Sequence, residues 1–183
     1  MRTVTRRALA AGLLAAALGF GAFARTDEPA KPKGGPMDAI EELLKGSGLA
    51  FTKPNDNSFR VLVEGAKETT PVLVFPGTAG WKDTKGNEVY YAEAGTFVLQ
   101  IAKDMKTPPA LLERMAELNA SNMVAYLAMV KNEDGSRAVI VRTLLFLQGA
   151  SPEVMAYHMF LVQDCCMTAR KELGGYVAEK GKP

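Results

Sequence analysis

Histidine and cysteine are almost missing from this 183-residue chain, which has one histidine, His158, and two adjacent cysteines, Cys165 and Cys166. That poverty excludes several chemistries. One histidine and two neighbouring cysteines do not have the ligand spacing of a structural zinc site, and no Cys-x-x-Cys redox motif is present. A Cys/His dyad within one helix also fails. The seven residues from His158 to Cys165 span roughly 10 Å at about 1.5 Å rise per residue, whereas a nucleophile and its base need hydrogen-bond reach of about 3 Å. Helical neighbours point about 100° apart, so a bridge between Cys165 and Cys166 would need a distorted peptide. Both are expected as small buried hydrophobes, with an intermolecular disulfide and redox or metal chemistry as the alternatives. The glycine-rich stretch Gly77-Thr-Ala-Gly80 lacks the Gly-Lys-Ser/Thr ending of a phosphate loop. Asp83-Thr-Lys-Gly-Asn87 puts a lysine where a calcium loop needs an oxygen ligand. No catalytic residue, cofactor or metal ligand is predicted.

Excess charge of one sign is missing too. The chain has 22 basic and 20 acidic residues, and three of the arginines, Arg2, Arg6 and Arg7, precede an uncharged run from Ala8 to Ala24. This is the layout of an export signal, with Ala22-Phe23-Ala24 offering small residues for cleavage after Ala24. The run of 17 residues falls short of the roughly 20 a membrane span needs. Membrane contact is expected only in passing, through this leader. Thr5-Arg-Arg-Ala-Leu-Ala10 also fits the twin-arginine motif, so the twin-arginine and general secretory routes both stay open. Without the leader the balance is 19 basic against 20 acidic residues, and no electrostatic case for nucleic acid remains. The expected location is the bacterial periplasm or the exterior.

The segment 25–36 is rich in proline and glycine, lacks apolar side chains to bury, and is expected as a disordered linker. One α+β domain is predicted over 37–175, with a charged tail over 176–183. Met37 to Gly46 has helical spacing of Met37, Ile40, Leu43 and Leu44. Lys53 to Asn57 is a turn cluster. Strands are predicted at Phe59–Glu64, Pro71–Pro76, Glu88–Ala92 and Thr96–Ile101, with a long connection from Gly77 to Asn87 and a break at Glu93-Ala-Gly95. A helix follows, with Thr107 as N-cap, Pro108 at its first position, and Leu111, Leu112, Met115 and Leu118 as its buried stripe. Met123–Val130 and Ala138–Leu145 form a hairpin around Asp134-Gly135. Ser151-Pro152 opens a last helix that runs to about Leu173. The order α-β-β-β(β)-α-β-β-α implies a mostly antiparallel sheet with flanking helices.

Leu111-Leu-Glu-Arg-Met-Ala-Glu-Leu-Asn119, followed by a hairpin and a long final helix, resembles the YbjN family and the type III secretion chaperone-like fold it shares. Leu43-Leu-Lys-Gly-Ser-Gly-Leu-Ala-Phe51 is similar to that family's first helix and turn. The resemblance implies an α+β module that binds a protein or peptide, often as a homodimer, with no catalytic residues to carry over. Members are mostly cytoplasmic, and the leader departs from that. Trp81, Tyr90 and Tyr91 form a candidate contact surface, with aromatic rings folded over the sheet as the plainer reading. The rival function is a small-ligand carrier or hydrolase with Glu88 or Glu93 in a pocket between sheet and helices. Asn119-Ala-Ser121 matches a glycosylation sequon, which is set aside because the leader looks bacterial.

Overall fold

The computed structural model describes residues 34–63, 70–122 and 124–178. The predicted leader, residues 25–33 of the linker, and residues 179–183 of the tail lie outside the described residues.

Helix α1, Pro36–Ser47, opens with proline in its first turn, carries Asp38 early and Lys45 late, and stops at Gly48, whose φ of 73° is left-handed. These charges match the helix dipole, and only glycine takes that φ freely. Its inner side buries Ala39, Ile40, Leu43 and Leu44. The wholly buried Ile40 and Leu44 are worth about 1.5–3 kcal/mol each. Six strands follow: β1 (Ala50–Asn55), β2 (Ser58–Leu62), β3 (Val72–Lys82), β4 (Glu88–Ile101), β5 (Ala125–Lys131) and β6 (Arg137–Phe146). Helix α2, Pro109–Ala120, separates β4 from β5, and α3 (Pro152–Leu173) and the short α4 (Gly175–Ala178) close the described chain. The sheet is antiparallel throughout, in the order β1-β2-β3-β4-β6-β5. Helices α1, α2 and α3 share one core with the inward side chains of the sheet, among them Phe59, Val61, Val72, Val74, Ala94, Val139 and Val141. The fold is therefore a two-layer α+β arrangement, with helices on one side of the sheet.

The predicted order holds, but four details change. The turn cluster at Lys53 is part of a strand, β1, which pairs with β2 through Phe51 opposite Val61 and Thr52 opposite Arg60. β1 is a sheet edge, where Pro54 costs no ladder bond. The predicted loop from Gly77 continues β3 to Lys82, and only Asp83 to Asn87 turn. Asp83 holds that turn by accepting from the Asn87 and Lys85 amides at 2.8 and 2.9 Å. The predicted break at Glu93-Ala-Gly95 is absent, because β4 runs unbroken past it. Its irregularity comes later, between Phe97 and Leu99. The inward residues are Ala92, Ala94 and Thr96 before that bulge and Leu99 and Ile101 after it, with Val98 also buried. One inserted residue shifts the alternation by one. The bulge frees the Phe97 carbonyl, which accepts from Cys166 Sγ at 3.3 Å and an Arg170 guanidinium nitrogen at 2.8 Å.

The fourth change is at α2. Pro108 is the N-cap, with extended φ and ψ of −62° and 132°, and Pro109 takes the first helical position. The helical region is sterically disfavoured for a residue that precedes proline, so Pro108 stays extended as the N-cap and Thr107 lies outside the helix. Leu111 and Met115 are buried and Leu118 is half-buried, but Leu112 is exposed. The α3 start agrees with the sequence: Ser151 Oγ accepts from the Val154 amide. The β5–β6 hairpin also agrees, with Gly135 at φ 84°.

Candidate functional site

Strand alternation decides which side chains face away from the helices. On β3 these are Leu73 and Phe75, on β4 Tyr91, Glu93, Gly95 and Phe97, and on β6 Ile140, Arg142, Leu144 and Phe146. The ladder sets them in rows across the sheet. Phe75 is opposite Glu93 and Glu93 opposite Leu144, Leu73 is opposite Gly95 and Gly95 opposite Arg142, and Phe97 is opposite Ile140. Leu62 on β2 and Tyr126 on β5 extend the surface at either side, since Tyr126 is opposite Arg142. Leu62, Leu73, Phe75, Phe97, Tyr126, Leu144 and Phe146 are 38% to 47% exposed. At the centre, Glu93 and Arg142 form an ion pair within the face. Gly95 allows it: a side chain there would come within 3.0 Å of the Val141 carbonyl and 3.7 Å of Arg142 Cγ.

The three aromatic residues singled out by sequence do not form one cluster. Trp81 is exposed at the end of β3 and tilts against Phe146, with ring centroids 6.0 Å apart. Tyr91 lies across Gly77, where a Cβ would stand 2.3 Å from the ring. Tyr90 projects to the other side of the sheet, as the next residue of a strand must. It packs against the core, and its hydroxyl donates to Glu88 Oε2 at 2.7 Å. That bond raises the Tyr90 phenol above its ordinary pKa. Glu88 and Glu93 are likewise kept apart, each with its own partner.

The reactive residue types are also dispersed. Cys166 is wholly buried against the β4 bulge. Cys165 is half-buried, accepts a hydrogen bond from Asn122 Nδ2, and lines a cavity of about 140 Å³ between α2, α3 and β5. Burial pushes its thiol up; the Asn122 bond opposes this and neighbouring Asp164 adds to it. Neither cysteine is in a disulfide. His158 Nδ1 lies 3.0 Å from Thr143 Oγ1, and burial lowers its pKa. Asn119, the residue of the sequon, has both carboxamide atoms bonded to the Leu127 backbone.

Sequence reasoning missed Leu73, Phe75, Phe97, Leu144 and Phe146, although their signal was present. A strand covered on one face alternates apolar and polar residues, while a strand covered on both faces reads as a continuous apolar run. Val72-Leu-Val-Phe75 and Thr143-Leu-Leu-Phe146 are nearly continuous, yet among the described residues helices cover one side only. Among the described residues, no helix is long and apolar enough to cross a membrane, and no group of three or more His, Cys, Asp or Glu side chains is placed to hold a metal ion.

No family model matches the chain, and no curated protein matches it. Among solved structures, it is similar to the crystal structure of YbjN from E. coli, described as a candidate transcription regulator, at 15% identity and a TM-score of 0.45 over 75% of this chain and 91% of that one. A likeness this distant transfers neither activity nor partner.

Proposed function

We propose that this protein is an exported, non-catalytic module that binds a protein or peptide partner on the open face of its sheet. The observation that carries this reading is the mismatch between apolar pattern and cover. β3 and β6 have the composition of strands buried on both faces, while the outward side chains Leu73, Phe75, Leu144 and Phe146 meet no second layer among the described residues. An exposed apolar patch of this extent marks an interaction site. The leader read from the sequence supports export. Dispersal of Cys165, His158, Glu88 and Glu93 to separate partners supports binding over catalysis. The cavity beside Cys165, at about 140 Å³, is below the range of roughly 300–1,000 Å³ that small-molecule sites occupy, which disfavours the carrier or hydrolase alternative.

Site-specific photocrosslinking in the producing cell tests the reading. A crosslinking amino acid at Phe97 or Phe146 should capture a discrete protein, and one at Tyr157, exposed on α3, should not. Absence of any product at Phe97 and Phe146, or equal capture at Tyr157, overturns it.

A further inference from the structure

We propose that the partner segment held by the open face is an amphipathic α-helix with an acidic residue beside its apolar stripe, and that this acid meets Arg60. This rests on the reading of the face as a docking surface and names the chemistry of its occupant. Backbone chemistry is the first argument. Strands β3, β4 and β6, which present Leu73, Phe75, Phe97, Leu144 and Phe146, each pair with a neighbour on both sides. Their ladders engage the backbone groups within the sheet, so the face offers a partner side chains only. A segment buried on it has to satisfy its own amides and carbonyls, which a lone extended peptide cannot do and an α-helix does. The dimensions agree. From Tyr91 to Phe97 the outward residues of β4 extend about 20 Å at roughly 3.4 Å per residue, the length of about 13 helical residues. A helix about 10 Å across covers two to three strands spaced about 4.8 Å apart.

Charge is the second argument. One outward row runs Thr52, Arg60, Leu73, Gly95, Arg142 and Tyr126 across β1, β2, β3, β4, β6 and β5. The next row holds Phe75, Glu93 and Leu144. Glu93 pairs with Arg142, so these two rows carry one surplus cation, Arg60. It is exposed on β2, with Leu62 two residues along on the same side and Leu73 opposite. Among the described residues Arg60 has no ion-pair partner. A guanidinium in such a place rests its stem on apolar neighbours and keeps its head in water. A helix laid along β3 and β4 brings the border of its apolar stripe, where polar residues begin, over β2. A carboxylate on that border meets Arg60, whereas a lysine or arginine there meets its like. The face therefore selects an acidic border on the side of β2.

The test starts from the photocrosslink at Phe97 in the producing cell and reads the segment it captures. Mass spectrometry of the crosslinked peptide should place the adduct in a stretch with apolar residues at helical spacing and Asp or Glu on one flank. A synthetic peptide of that stretch is then titrated against the purified protein, as the cell produces it, by fluorescence anisotropy. It should gain helical circular dichroism on binding. Arg60→Glu should weaken binding at least about tenfold at low salt. Replacing the peptide's acid with lysine should weaken binding to the wild type and restore it to Arg60→Glu. That rescue also shows the variant to be folded. An extended segment, a helix with no acid on its flank, capture of a second copy through its own sheet, or a charge swap that restores nothing overturns the proposal and leaves the docking face standing. If nothing crosslinks at Phe97, both are wrong.

Discussion

The hydroxyl of Thr143 has one proton, and two neighbours compete for it. The Val124 carbonyl, 2.9 Å away, can only accept, so the proton goes there. His158 Nδ1, 3.0 Å from the same oxygen, must then donate. This puts a proton on Nδ1, and burial, which disfavours the charged ring, pushes the His158 pKa below the ordinary imidazole value. The unfolded chain takes up its proton near pH 6.5, before the folded chain does. His158 therefore favours folding fully above about pH 6.5, and that contribution declines as pH falls from there toward the lower folded value. Because His158 is the sole histidine, the decline can be assigned to it. Urea unfolding at about pH 7.5 and 5.5 should show stability falling toward acid in the wild type and falling less in His158→Gln. Equal losses in the two proteins would refute the burial argument. Sequence alone placed His158 on a helix and out of reach of Cys165; it could not show Thr143, fifteen positions earlier and on another strand.

Elements were legible where a local signal fixes them. The Ser151-Pro152 start, the Asp134-Gly135 turn and the helical spacing of α1 act within a few residues, and each appears where expected. Strand ends were not legible. Gly77, Gly80 and Gly95 suggest loops, but two of them serve close approach, under Tyr91 and beside Arg142, which only the paired strand reveals. The edge strand β5 shows how an element can depend on a distant residue. Asn119, on α2, donates to the Leu127 carbonyl at 3.0 Å and accepts from the Leu127 amide at 2.6 Å. Its carboxamide thus takes the place of a seventh strand at that point and blunts an edge that would otherwise invite pairing. Asn119→Ala should cost about 1–3 kcal/mol, because it leaves a backbone donor and acceptor without partners. Amide exchange at Leu127 should quicken, while exchange in β2 should change only as far as global stability does. An unchanged Leu127 rate would show that the side chain does not guard the edge.

At the scale of the whole molecule, the candidate site was the least legible feature. The sequence pointed to Trp81, Tyr90 and Tyr91, of which two face outward and one inward. The face itself is assembled from strands far apart in the chain, and its outward residues are visible only once register is known. Cys166 offers a reporter of how the folded molecule opens. Its thiol is wholly buried and bonded to the Phe97 carbonyl, on a helix that packs into the shared core. Reagent can reach it only when the molecule opens globally, so in a Cys165→Ala background its labelling should be at least about a thousandfold slower than that of a free thiol. Fast labelling of Cys166 would show that α3 opens locally.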